Sequence, residues 1–212
     1  MKTAKSDFSN PETAWNERYG NEGYIFGKEP NAYLASHAAL LPPRQRALLV
    51  ADGEGRNGVW CAQQGLTVDA FDVSPVGIAK ARQLADERGV KINFNLCGYE
   101  DWPWTPETYD VVVVVFAHFA KAEKRQQLFA NYVNTLKPGG LLIMQGYTPK
   151  QIEFKTGGPS DADLLLTEAL LRESFAAMEI LECVSYEAEI NEGTFHVGMS
   201  ALMGFVARKR LA

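Results

Sequence analysis

With 212 residues, 46% of them hydrophobic and 22% charged, the chain is long enough for one large domain with a substantial core. A formal net charge of −5 and the lack of a Lys/Arg block weigh against a nucleic-acid partner. The three scattered cysteines, Cys61, Cys97 and Cys183, form no CxxC pair or metal pattern, and no apolar run reaches membrane-spanning length. A cytoplasmic protein with no metal and no membrane partner is the expectation.

The first thirty or so residues are polar but interrupted by Phe8, Trp15, Tyr19, Tyr24 and Phe26, with Arg18 among them. Such a segment either anchors to a core or folds over a ligand and excludes water. Residues 1–45 are therefore expected to form an aromatic arm and helix able to act as a lid, ahead of a main domain over 46–212. A helix is predicted from Asn31 to about Leu41, stopped by Pro42 and Pro43. A strand over ALLVA follows, then the stretch Val50-Ala-Asp-Gly-Glu-Gly-Arg-Asn-Gly58, then a helix from Arg56 to Gln64.

A second strand runs from Leu66 to Phe71 and ends at Asp72. The next helix has Ser74 as cap and Pro75 in its first turn, and stops at Gly89. Strand three is Lys91 to Leu96. Strand four, YDVVVVVF, is a continuous apolar run that suits a central strand covered on both faces. A helix over Lys121–Leu136, a Lys137-Pro-Gly-Gly140 turn and strand five, LLIMQGY, come next. A glycine-rich loop, a helix over Asp161–Phe175 and two strands, Glu179–Ile190 and Met199–Arg208, complete the chain. Their short link, NEGTFHVG, favours an antiparallel pair. The alternation gives a Rossmann-like α/β fold, a mostly parallel sheet with helices on both faces.

The glycine turn satisfies GxGxxG through Gly53, Gly55 and Gly58, a pattern that serves dinucleotides and S-adenosylmethionine alike. Gly53 and Gly55 let backbone approach a ligand without a Cβ between them. Asp52 and Glu54 within the loop would repel a pyrophosphate and suit a zwitterionic or cationic ligand. Asp72, at the end of strand two, is placed to accept hydrogen bonds from ribose hydroxyls. His118 follows strand four directly, at the expected mouth of a site, where a neutral imidazole can take a proton; helix capping is its other reading. His196, on the last connection, has a weaker claim, and His37 is expected on the surface.

The ordered set GEGRNG, DVSPVGIAKAR, YDVVVVVF, LKPGG and YTPKQIEFKTGGP resembles the class I S-adenosylmethionine-dependent methyltransferases, in particular their tellurite-resistance TehB-like group. The N-terminal WNERYGNEGYIFGKEPN resembles that group's leading segment. The resemblance covers nearly the whole chain. It implies seven strands with the last antiparallel, and S-adenosyl-L-methionine at the carboxyl ends of the first strands. On this resemblance the cofactor site comprises Trp15, Arg18, Tyr24, Ala51, Gly53, Gly55, Arg56, Asn57, Asp72, Val73, Tyr99, Glu100 and Phe116. His118 and Tyr147 are the candidate catalytic residues, with Lys150 and Lys155 beside the acceptor.

The chain departs from the pattern at Leu49 and Ala51, where an acidic residue and a glycine are usual, and at Gly98, where an acidic residue near adenine is usual. Asp52 and Glu54, and Glu100 or Asp101, are the nearby carboxylates. No Asn/Asp-Pro-Pro-aromatic motif follows strand four and no Pro-Cys nucleophile is present, so a small-molecule acceptor is expected, a thiol or a chalcogen oxyanion such as tellurite. The assembly is expected to be a monomer or homodimer. The rival readings are a cofactor-sensing protein without turnover and an NAD(P)-dependent oxidoreductase.

Overall fold

The structure is a computed structural model that describes residues 10–211; Phe8 of the aromatic arm lies outside them. Helix α1 (Pro11–Tyr19) begins where the Asn10 side chain accepts the Thr13 amide and Pro11 fills the first turn. Helix α2 (Ala32–Ser36) is capped by Asn31, and a separate 3-10 turn, Ala38–Leu40, follows it. The single helix expected over 31–41 is thus broken at His37. The His37 ring and the Ser36 hydroxyl both engage the Tyr33 carbonyl, a local competitor of the helical ladder. His37, expected on the surface, is partly buried and packs on the Tyr33 ring at 4.5 Å.

Strand β1 (Arg46–Val50), helix α3 (Arg56–Gln63), strand β2 (Thr67–Asp72) and helix α4 (Pro75–Glu87) follow the sequence expectation closely. The Ser74 hydroxyl caps α4 by accepting the Gly77 amide at 3.0 Å. Then come β3 (Asn93–Leu96), β4 (Tyr109–Val115), α5 (Ala122–Thr135) and β5 (Leu136–Tyr147). The Lys137–Gly140 segment, expected as a turn, belongs to β5; a register shift between Tyr109 and Val111 accommodates it.

A short helix not anticipated from the sequence, α6 (Gln151–Phe154), opens the loop after β5. The helix expected over 161–175 is replaced by a 3-10 turn, Ala162–Leu164, and α7 (Glu168–Ser174). Distant partners take its backbone groups: Leu164 O accepts from His118 and the Leu166 amide donates to Tyr147 O. Thr167 then caps α7. Strands β6 (Glu179–Glu192) and β7 (His196–Arg208) are longer than expected and leave only Gly193, Thr194 and Phe195 between them.

The seven strands lie in the order β3-β2-β1-β4-β5-β7-β6, with β7 antiparallel to both neighbours and every other pairing parallel. The Val111–Val114 run lies at the centre, buried on both sides. Val112 and Val114 join Leu48, Phe129, Tyr132, Phe175 and Phe205 on one face; Val111 and Val113 join Leu49, Cys61, Ile143 and Val206 on the other. Alternate residues of one strand thus feed two cores. The chain reverses direction of growth between β1 and β4, where open sheets of this type bind ligands at the strands' carboxyl ends. Among the described residues no helix is long and apolar enough to cross a membrane.

Candidate active site

The turn after β1 is built on positive φ at Ala51 (51°), Gly53 (57°) and Gly55 (87°). Its two acidic side chains are committed within the protein, so they do not offer the free negative charge that the sequence argument assigned them. Glu54 is buried; it accepts the Ile25 amide at 2.8 Å and pairs with Lys80 at 3.0 Å, tying the N-terminal arm to α4. Asp52 accepts the Gly58 amide at 3.1 Å, and burial pushes its carboxyl up to about 8 against that bond.

Asp72 accepts the Gly53 amide and the Ser74 amide, both at 2.9 Å; burial raises its carboxyl to about 6, with those amides working the other way. Val73 follows it, partly buried. Over this loop lies the arm. Tyr19 is buried against Gly53 and Gly77, and a Cβ at either glycine would run into its ring or hydroxyl. Trp15 stacks on Tyr19 at 5.2 Å, and Arg18 lies over Trp15 at 5.0 Å. Tyr24 sits further out and donates its hydroxyl to Lys80 O.

At the start of α3, Arg56 pairs with Glu192 of the β6–β7 hairpin at 2.7 Å and donates to Phe26 O. Asn57 accepts the Asn31 amide at 2.9 Å, and the Asn31 side chain donates to Gln145 and Glu192. One buried polar network therefore joins the glycine turn, the arm, the end of β5 and the hairpin. Thr194 and Phe195 close it by donating their amides to Ile25 O at 2.7 and 3.2 Å.

The carboxyl ends of β4 and β5 carry an aromatic cluster. Phe116, with φ of 52°, lies 4.7 Å from the Tyr147 ring and 4.3 Å from His196; Phe26 of the arm is 4.4 Å from His196. His118 is there too, but both ring nitrogens are engaged: Nδ1 with Leu164 O at 2.8 Å and Nε2 with the Tyr147 amide at 2.9 Å. The imidazole is neutral in this arrangement, and burial lowers it to about 4. It has no lone pair left for a substrate proton. The buried Tyr147 hydroxyl and His196 Nδ1, by contrast, have no hydrogen-bond partner. Tyr99 stacks on Phe119 at 4.8 Å, whereas Glu100 turns outward to Lys124. Lys150 is exposed and pairs with Glu187.

Residues 47–140 match the family described as methyltransferase domain. The match takes in less than half of the chain. A ubiquinone biosynthesis O-methyltransferase of Rickettsia conorii is 35% identical over 97 residues, which cover 45% of this chain and 32% of that protein. The matched stretch thus spans about a third of that curated relative's length. A structure concerned with the conversion of a disulfide bond into a thioacetal group during echinomycin biosynthesis superposes with a TM-score of 0.74, at 20% identity, over 95% of this chain and 93% of that one. TehB from Haemophilus influenzae superposes with a TM-score of 0.70, at 18% identity, over 94% of this chain and 67% of that one. At these identities the two structures are alike in fold, and nothing narrower than the class I methyltransferase fold follows from TehB.

Methyltransferase domains of the kind matched take S-adenosylmethionine, and the residues present fit it. The Asp72 carboxylate accepts the Gly53, Ser74 and Val73 amides and has acceptor capacity left for a ribose hydroxyl. Aromatic faces from Trp15 and Tyr19 stand over the loop, suited to a sulfonium. The matched stretch alone does not complete the site, because the arm and the β6–β7 hairpin lie outside residues 47–140. Asn31, Gln145 and Glu192 were missed as candidates from the sequence. One carried a signal: Gln145 is a lone amide within the apolar LLIMQGY.

Gly53→Val should both destabilise the protein and weaken binding of S-adenosylhomocysteine. The new side chain meets Tyr19 and the backbone must hold φ of 57°, a strain of order 1–3 kcal/mol. Calorimetric titration alongside thermal melting checks this; normal affinity would show that the turn does not shape the cofactor site.

Proposed function

We propose that the chain is an S-adenosylmethionine-dependent methyltransferase acting on a small, uncharged acceptor with an apolar or aromatic body and a protic nucleophile, a phenolic hydroxyl first and a thiol second. The observation that carries this is the cluster of Phe26, Phe116, Tyr147 and His196, which ends in an unpartnered hydroxyl. The relatives named for ubiquinone biosynthesis O-methylation support a small acceptor. A chalcogen oxyanion such as tellurite has less in its favour, because the cation beside the cluster, Arg56, is neutralised by Glu192 at 2.7 Å.

In this reading Asp72 holds the ribose, the turn around Gly53 receives the methionine portion, Gly55 lets that turn pack closely on Ala81 of α4, and Trp15 and Tyr19 exclude water. His118 positions the Tyr147 segment and moves no proton. Catalysis then rests chiefly on alignment within a closed site. Calorimetry with S-adenosylhomocysteine and with NAD, followed by a screen of phenols, thiols and tellurite as methyl acceptors, tests the proposal. Binding of NAD alone would overturn it. Asp72→Ala is expected to weaken S-adenosylhomocysteine by about 1–3 kcal/mol. Some loss of stability should accompany this, since the Gly53 and Ser74 amides lose their acceptor.

A further inference from the structure

In the aromatic cluster, where the Tyr147 hydroxyl is also unpartnered, the chemistry of His196 is unaccounted for. It is buried, its Nδ1 has no hydrogen-bond partner, and Glu192 stands 3.9 Å from that nitrogen, an ion-pair distance that a small ring rotation closes to a hydrogen bond. Phe26 and Phe116 lie against the imidazole, and the Tyr147 ring meets it edge-on at 5.8 Å. We propose, resting on the methyltransferase reading above, that His196 oriented by Glu192 is the general base that takes the proton of a phenolic acceptor seated beside Phe116, under Phe26 of the arm.

The neighbouring groups divide the roles. His118 has both nitrogens engaged by backbone. Glu192 is a poor base: burial works to raise its carboxyl, but His196, Arg56 and the Ala32 amide hold it at about 2. It can therefore accept the Nδ1 proton of His196 and fix the tautomer that leaves Nε2 as the lone pair. Burial lowers the His196 imidazole and Arg56 adds to this, while Glu192 raises it, so the ring is neutral and ready to accept a proton near pH 7. Tyr147, whose burial raises its hydroxyl above the ordinary value, stays protonated and can donate to the acceptor oxygen. When S-adenosylmethionine is bound it supplies the methyl group: the acceptor oxygen lone pair forms the new C–O bond, the C–S pair returns to sulfur, and the phenolic proton goes to His196 Nε2. The imidazolium so formed faces Glu192, and water then carries the proton away.

The test uses para-nitrophenol, whose absorbance reports its ionisation, bound to the full chain saturated with the unreactive S-adenosylhomocysteine. Bound to the wild type, the probe should lose its proton at a lower pH than it does free. In His196→Gln the ionisation constant of the bound probe should move back by about tenfold or more, and methyl transfer to accepted phenols should fall about 10²–10⁴-fold. His196→Asn is the second variant should the first misfold, and retained S-adenosylhomocysteine binding confirms that either is folded. An absorbance–pH curve in folded variants identical to wild type would overturn the assignment. So would failure of the probe to bind a protein that does bind S-adenosylhomocysteine. Failure of S-adenosylhomocysteine itself to bind would instead take down the methyltransferase reading, and the base with it.

Discussion

Glu192→Ala is expected to cost about 3–5 kcal/mol of folding stability, the range for removing one partner of a buried ion pair. The Glu192 and Arg56 side chains are only 11% and 7% exposed, so the guanidinium left behind has little water to turn to. The same carboxylate accepts from Asn31 and from the Ala32 amide, and both lose their acceptor. Urea denaturation of wild type, Glu192→Ala and Glu192→Gln checks this. Glutamine keeps an acceptor for Asn31 and Ala32 and should recover part of the loss. If alanine costs less than about 1 kcal/mol, the network is not what joins the hairpin to the glycine turn.

His118→Ala is expected to destabilise by about 2–6 kcal/mol, because the Tyr147 amide and the Leu164 carbonyl each lose a partner, at roughly 1–3 kcal/mol per group. Its effect on pH dependence is the sharper signature. The folded imidazole titrates at about 4, below its value in the unfolded chain of about 6.5. Between those values the unfolded state binds the proton and the folded state does not. Stability from this residue is therefore complete above about pH 6.5 and is lost as pH falls toward 4, by up to about 3 kcal/mol. Urea midpoints at pH 5 and pH 7 should differ less in His118→Ala than in wild type. An equal pH dependence in the two proteins would mean the imidazole is not held neutral by its backbone partners. Once folded, the variant should keep most of its turnover if His118 only positions the Tyr147 segment.

What the sequence made legible was what short-range chemistry decides. The valine run gave β4, the Ser74–Pro75 pair gave the start of α4, and the glycines with Asp72 marked the turns at the carboxyl ends of β1 and β2. It was silent where partners come from far along the chain. Nothing local says that Leu164 will accept from His118, so the helix expected over 161–175 could not be seen to break. Nothing local says that Glu54 will hold Ile25 and Lys80, so a carboxylate used for internal architecture read as a charge offered to a ligand. Likewise His196 ranked below His118 because its nearest loop is short and polar, whereas its surroundings come from Phe26, Phe116 and Tyr147.

The Ile25 carbonyl accepts from both Thr194 and Phe195, so the arm and the far hairpin are stitched together directly above the glycine turn. Gly193 makes the stitch tight; a Cβ there would overlap the Ile25–Gly27 backbone. The two pieces come from opposite ends of the sequence, so neither can leave the other at this point without breaking the Thr194 and Phe195 bonds together, and loosening of one is coupled to loosening of the other.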